Sequence, residues 1–204
     1  VGASGVILHS SDATTWTQRE WGSPEDLFYG VTHGIDKDSK EIFMLVSDEG
    51  GILSFCSDFN CSLSSGETSN QCCNHYGVIF GNSTFVIVGQ SGTILTTTDV
   101  TTRTSKTSGT TDNLTGVTYG NGTFVVVGAS GTILTSSDAT TWTSRTSGKT
   151  SHLYGVTYAY SKFTTVGASG VILHSSDATT WTQREWGSPE DLFYGVTHGI
   201  DKDS

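Results

Sequence analysis

The stretch Gly116–Tyr154, GVTYGNGTFVVVGASGTILTSSDATTWTSRTSGKTSHLY, is the unit from which this chain is built. Its opening phrase, Gly-Val followed by Thr or Ile, recurs at Gly30, Gly77, Gly155 and Gly195. The openings are 47, 39, 39 and 40 residues apart in chain order. Self-similarity at a period of 20–50 residues is the sequence signature of repeat architectures, so the repeat decides the fold.

The repeats divide the chain into units, and one longer regularity joins its two ends. Residues 1–39 and 166–204 are identical at an offset of 165, although neighbouring units differ at many positions. This identity favours a tandem array, or a polymer, with a 165-residue period. The predicted units are a partial blade (1–29), a divergent blade with the cysteines (30–76), three regular blades (77–115, 116–154, 155–194) and the start of another (195–204).

Within one unit the sequence predicts four short strands: Gly116–Tyr119, Phe124–Val127, Thr132–Thr135 and Trp142–Arg145. The Gly-Asn-Gly turn before Phe124 is a hairpin signal, because Asn and Gly accept positive φ. Four strands in about 40 residues are typical of a propeller blade. We therefore predict an all-β, β-propeller-like tandem repeat of four-stranded blades. An open stacked β-sheet array is the alternative.

The turn between the third and fourth strands carries a motif. Ser136–Trp142, SSDATTW, resembles the Asp-box of bacterial-neuraminidase-type repeats, although it is one residue short and lacks the glycine. Copies lie at Ser10–Trp16 and Ser175–Trp181, and a degraded copy lies at Thr97–Arg103. A longer stretch, from Phe124 to Trp142 (FVVVGASGTILTSSD…W), is similar to the repeats of bacterial photosystem-assembly-factor-like β-propellers. The resemblance assigns a structural role to Ser10, Asp12, Trp16, Asp99, Ser136, Asp138, Trp142, Ser175, Asp177 and Trp181.

The charge and hydropathy of the sequence exclude two kinds of interaction, nucleic-acid binding and a membrane span. The formal net charge is −10 and the isoelectric point is about 4.8, which argues against nucleic acid, since a phosphate backbone requires clustered Lys and Arg. We expect no membrane span, because the sequence has no apolar run of 18 residues.

Two features favour an extracellular, secreted glycoprotein. Four Asn-x-Ser/Thr sequons begin at Asn60, Asn82, Asn113 and Asn121. Four cysteines, all in the divergent unit, form an even set that suits disulfides in an oxidising compartment, with the pairing left open: Cys56, Cys61, Cys72 and Cys73.

No residue pattern indicates an enzyme, a cofactor or a metal site. Arg19, Arg145 and Arg184 follow the repeat and fall on the strand that we expect to be outermost, whereas a sialidase would need an arginine cluster at the centre. The histidines show no zinc-ligand spacing. We therefore predict no catalytic residues, no metal and no cofactor.

We predict a non-catalytic, secreted structural protein whose 165-residue modules assemble, head to tail with copies of themselves, into an extracellular fibre or filament. A glycan-binding, lectin-type propeller is the alternative. An Asp-box glycosidase is the weakest candidate, because its acid and arginine residues would break the repeat.

Overall fold

The architecture is all β in a computed structural model, which describes residues 6–10, 13–20, 27–56, 62–65, 74–184 and 188–199. Within these ranges the helical elements are three single 3-10 turns. The strands are β1 (Val6–His9), β2 (Thr17–Glu20), β3 (Phe28–Ile35), β4 (Glu41–Ser47), β5 (Ile52–Cys56), β6 (Ser62–Ser65), β7 (His75–Gly81), β8 (Thr84–Gly89), β9 (Ile94–Thr97), β10 (Thr104–Lys106), β11 (Leu114–Gly120), β12 (Thr123–Gly128), β13 (Ile133–Ser136), β14 (Thr143–Arg145), β15 (Leu153–Ala159), β16 (Lys162–Gly167), β17 (Ile172–Ser175) and β18 (Thr182–Arg184).

These strands form four antiparallel, four-stranded sheets and one two-stranded sheet. We call them blade I (β3–β6), blade II (β7–β10), blade III (β11–β14), blade IV (β15–β18) and the half-blade (β1–β2). Each blade is a meander in which every strand pairs with the next one in sequence. The predicted fold, an array of four-stranded blades, is confirmed.

Each blade forms because its tight turns contain residues that adopt positive φ and because its second strand is apolar. In blade III, Asn121 and Gly122 have φ of 46° and 73°, the positive values that a tight hairpin requires. The next strand carries Phe124, Val125, Val126 and Val127, all fully buried. A continuous apolar run of this kind fits a strand that is covered on both faces.

The hydrophobic core lies between successive blades. Val86 and Val88 of blade II pack in one cluster with Phe124 and Val126 of blade III. Each fully buried side chain of this size contributes roughly 1.5–3 kcal/mol relative to an exposed one. Because the core belongs to pairs of blades, no blade completes its own core.

Residues 188–199, the terminal segment, lie against blade IV. The Phe193 amide donates to the Gly167 carbonyl over 3.1 Å, and Ala168 forms an isolated antiparallel bridge with Leu192. The sequence also allows a closed ring, in which residues 195–204 complete the sheet begun by residues 1–29. Among the described residues that sheet contains β1 and β2, and residues 1–5 and 200–204 lie outside them. The closed ring and the open array therefore both stay predictions.

Candidate interaction surfaces

The first strands of consecutive blades meet through a glycine and an aromatic ring. An added Cβ on Gly81 would lie 2.3 Å from Cγ of Tyr119, and one on Gly120 would lie 2.1 Å from Cγ of Tyr158. Gly34 meets Phe80 in the same way. Each ring therefore fills the space that a side chain on the previous blade would need.

A second line of glycines runs through the same contact. The Cβ position of Gly77 lies 3.6 Å from Cα of Gly116, and that of Gly116 lies 3.5 Å from Cα of Gly155. Hydrogen bonds between consecutive blades add to this close contact. Thr115 Oγ1 donates to the Leu153 carbonyl over 2.5 Å, and the Ser91 amide donates to Asn113 Oδ1 over 3.0 Å.

The terminal segment binds blade IV through the same kind of contact. The Tyr154 and Tyr194 rings lie 5.2 Å apart, and the Cβ position of Gly155 is 3.1 Å from Cα of Gly195. Tyr160 Oη donates to the Gly199 carbonyl over 2.5 Å. Added Cβ atoms on Gly195 and Gly199 would meet nothing within 4 Å. Their counterparts Gly30 and Gly34, however, face blade II.

The other end of the array exposes apolar side chains that are covered where the same sequence recurs. Leu8 is 48% exposed and its copy Leu173 is 1% exposed. Trp16 is 57% exposed, whereas its copy Trp181 is half-buried against blade III. Strand β3 adds an exposed group of its own: Tyr29, Val31 and Ile35. Tyr29 nevertheless contacts Tyr76 of blade II, with ring centres 5.5 Å apart.

The aspartates of the Asp-box-like motif accept hydrogen bonds within their own turns. Asp138 Oδ1 accepts the amides of Thr140 (2.7 Å) and Thr141 (2.8 Å) and the Ser136 hydroxyl (2.9 Å). Asp177 accepts the equivalent three bonds in blade IV, including the one from Ser175. The amides, with the hydroxyl next, lower the pKa of both carboxyls to about 2. These bonds connect each carboxylate to the backbone of the turn between the third and fourth strands.

The remaining box residues divide between core and solvent. Trp142 packs with the cluster between blades II and III, its ring 6.4 Å from that of Phe124. In the degraded copy, Asp99 accepts the amides of Thr101 and Thr102, and a partly buried Arg103 replaces the tryptophan. Ser10 is half-buried, and Asp12 lies outside the described residues.

The predicted modification sites are only partly described. Asn82 and Asn121 are exposed at hairpin turns, each with φ of 46°, and Asn113 is exposed beside strand β11. Asn60, Cys61, Cys72 and Cys73 lie outside the described residues, as does the Cys56 side chain. Glycosylation and the disulfides therefore stay predictions.

Titratable groups do not converge on a reaction centre in the part of the chain that is described. There, no three His, Cys, Asp or Glu residues are grouped to hold a metal ion. Arg145 lies on the last strand of its blade and donates from Nε to Thr135 Oγ1 over 2.9 Å, and Arg184 is exposed. No helix in the described ranges has the length and apolar character needed to cross a bilayer.

One polar groove of about 300 Å³ lies between the box turns of blades II and III. Its lining includes Asp99, Asp138 and Lys106 together with several threonines. None of the described residues that line it is aromatic. The groove thus lacks the stacking ring on which sugar recognition usually relies.

Sequence reasoning missed two features of these surfaces. Gly120 was predicted to belong to a hairpin turn, but it ends strand β11 and accommodates the ring of Tyr158, as Gly34 and Gly81 accommodate the rings of the next blade. The recurrence of an aromatic residue one position earlier, as in Phe80 and Tyr119, was the available signal. His75 is buried at the position that leucine holds in blades III and IV, and burial lowers its pKa.

Comparisons with known proteins support the fold. No protein-family model matches the chain, and no curated protein is similar to it in sequence. The structure of YCF48 bound to D1 peptide matches with a TM-score of 0.65 and 15% identity over 89% of this chain. This chain covers 61% of that one, about three fifths of its length.

The structure of a nidogen/laminin complex matches with a TM-score of 0.67 and 16% identity, over 97% of this chain and 80% of that one. Both neighbours are β-propellers, as the resemblance to photosystem-assembly-factor-like repeats implied. At this level of identity the likeness concerns the fold alone, and it does not bear on the Asp-box.

Proposed function

We propose that this protein is a non-catalytic, secreted structural protein whose 165-residue modules bind one another in series to form an extracellular fibre. The observation that carries the proposal is the contact between blade IV and the terminal segment. There Gly155 meets Gly195 and Tyr154 meets Tyr194, and Gly195 and Tyr194 are the copies of Gly30 and Tyr29 at the start of blade I. Blade IV thus binds the sequence that opens the next period.

The partner in this proposal is a protein, and the first partner is the chain itself. The two similar structures were determined with a peptide or a protein bound, which supports a protein partner for a propeller of this kind. A contact between two different faces that does not close on itself generates a filament. Blade IV supplies one such face, and the copy of the sequence that opens blade I lies on it.

Secretion belongs to the same proposal. It rests on the even number of cysteines and on the sequons, of which Asn82 and Asn121 are exposed at hairpin turns. The net charge of −10 adds lateral repulsion between neighbouring fibres, which favours separate strings over bundles.

The glycan-binding alternative is less well supported. Its candidate platforms, Tyr119 and Tyr158, are half-buried against Gly81 and Gly120 of the preceding blades. The polar groove beside Asp138 lacks an aromatic residue within the described lining. A glycosidase would require acid and arginine residues that face one another. Arg145 and Arg184 instead lie on β14 and β18, the last strands of blades III and IV.

Electron microscopy of the native material tests the proposed function. We expect long strings, and treatment with an N-glycosidase should lower the mass of the secreted protein. A homogeneous population of discrete, single-chain particles at every concentration would refute the fibre.

A further inference from the structure

The polar groove between the box turns of blades II and III has an internal counterpart in blade III. The lining of the groove includes Thr96, which is only 7% exposed, and Lys106, which lies on the last strand of blade II. The same repeat positions in blade III hold Thr135 and Arg145. There Arg145 Nε donates to Thr135 Oγ1 over 2.9 Å. Blade III thus bonds a guanidinium group to the threonine whose copy lies in the groove.

Blade II has the same strand register without that bond. Lys106 and Arg145 occupy equivalent positions on the last strands of their blades. Lysine, however, lacks the planar fork of N–H donors that arginine has. Thr96 Oγ1 instead lies 3.5 Å from the Thr104 carbonyl, at the outer limit of a hydrogen bond. Within the described residues the Thr96 hydroxyl accepts no hydrogen bond, so it is available to a donor from outside the blade.

Two carboxylates line the same groove, Asp99 on blade II and Asp138 on blade III. Each uses Oδ1 to accept the amides of its own turn, and neither Oδ2 accepts a hydrogen bond from the residues that the structure describes. The turn amides, that of Thr102 for Asp99 and that of Thr141 for Asp138, lower the pKa of both carboxyls. Both are therefore ionised at neutral pH, and the groove has a charged acceptor from each of its two blades.

The charges around the groove favour a cation. Its lining carries the two carboxylates and one ammonium group, that of Lys106. Lys37 lies nearby, since its amide donates to the Thr98 carbonyl, but its ammonium group bonds to Asp38 over 3.0 Å. The net charge of −10 on the whole chain adds a long-range attraction for basic partners.

We propose that this groove binds the guanidinium group of an arginine side chain on a basic segment of a protein partner. The guanidinium group donates to Thr96 Oγ1, as Arg145 donates to Thr135 in blade III, and the Oδ2 atoms of Asp99 and Asp138 accept further N–H groups. Arginine has five N–H donors and no acceptor, which suits a site whose hydroxyl and carboxylate groups are acceptors. The site lies within blades II and III and does not depend on the proposed fibre.

The experiment titrates the isotope-labelled full chain with a short peptide, acetyl-Gly-Arg-Gly-amide, at neutral pH and low salt, and follows backbone amide shifts by nuclear magnetic resonance. We expect the shifts to be largest in the box turns of blades II and III. The matching lysine peptide should bind about threefold more weakly or less, because an ammonium group cannot bond to several acceptors in one plane. Added salt should weaken the binding, because the site is partly exposed.

Asp138→Asn and Asp177→Asn form a matched pair of variants. Each keeps an oxygen for the turn amides and replaces the second carboxylate oxygen by an amide group. Asp177 accepts the equivalent bonds in blade IV but does not line the groove. We expect Asp138→Asn to weaken the arginine peptide by about threefold, the size of effect typical of an exposed charge pair. Asp177→Asn should leave the affinity unchanged.

Lys106→Arg and Lys106→Met test the internal counterpart directly. Lys106→Arg recreates the arrangement of Arg145 and Thr135, so its own guanidinium group should bond to Thr96 and exclude the peptide. We expect the affinity to fall by about fivefold or more, since the hydroxyl is lost to the peptide and the lining keeps its positive charge. Lys106→Met removes that charge and leaves Thr96 available, so the peptide should bind at least as tightly as to the wild type.

Several results would overturn the site. Equal affinity for the arginine and lysine peptides would show that charge alone attracts them, and equal losses in Asp138→Asn and Asp177→Asn would place the binding outside the groove. Absence of any shift in the box turns up to the solubility limit of the arginine peptide would also refute it. Should Asp138→Asn prove to be unfolded, equal affinities of the two Lys106 variants would overturn the proposal on their own.

Discussion

Gly120→Ala tests whether the glycine and ring contact holds the array together. The added methyl group would lie 2.1 Å from Cγ and 2.2 Å from Cδ1 of Tyr158, and the φ of Gly120 is not in the left-handed region. The expected effect is therefore steric and not conformational. In blade IV the same position holds Ala159, and there the following ring is replaced by the exposed His198.

The magnitude follows from the displacement. To reach an ordinary carbon contact of about 3.5 Å, the Tyr158 ring must retreat by about 1.4 Å. Overpacking of this kind costs typically 1–3 kcal/mol. The movement also disturbs the pairing of Tyr158 with Phe163, whose ring centres lie 4.6 Å apart, and such a pair contributes about 0.5–1.5 kcal/mol. We expect a loss of roughly 2–4 kcal/mol in the free energy of unfolding.

Thermal unfolding and urea titration provide the assay, with Gly199→Ala as the control. Gly199 holds the same repeat position, but an added Cβ there meets nothing within 4 Å, so we expect a shift near zero. At about 2–4 °C per kcal/mol for a chain of this size, Gly120→Ala should melt roughly 4–16 °C lower. In a double-mutant cycle, Tyr158→Ala should recover part of the loss. Equal melting of the two alanine variants, or strict additivity in the cycle, would refute the packing argument.

Three further predictions concern single side chains. In the folded protein the pKa of Asp138 is lowered from 3.8 to about 2, so the stabilisation by its carboxylate is complete above about pH 4 and is lost as the pH falls towards 2. Asp138→Asn should therefore reduce the dependence of the melting temperature on pH between about pH 4 and pH 2. Burial lowers the pKa of His75 from 6.5, so its protonation opposes folding below that pH. Urea titrations at about pH 7.5 and pH 5 should therefore show a loss in the free energy of unfolding at the lower pH, and His75→Leu should remove the part of that loss that His75 causes. Trp181→Ala should lower the free energy of unfolding by about 2 kcal/mol or more in chemical denaturation, because Trp181 packs against blade III. Trp16→Ala, at an exposed copy of the same position, should change it by no more than about 0.5 kcal/mol, and equal losses would contradict this difference in packing.

The strands of a blade were predictable because local signals set them. The turn at Asn121 and the apolar run from Phe124 to Val127 predicted β12, which the structure places at Thr123–Gly128. The prediction for β11 began at Gly116, but the strand begins at Leu114, which pairs with Gly128 across a register shift. A bulge of this kind depends on the partner strand, so the local pattern does not reveal it.

The surfaces were harder to predict, because they depend on which blade lies on each side. Leu8 and Leu173 have the same sequence neighbours, yet one is exposed and the other is buried. No method that reads the local sequence can distinguish them, since the difference comes from strand β16 and blade III, which both lie beside Leu173. The same argument explains why Gly120, which faces Tyr158 of the next blade, was predicted to be a turn residue.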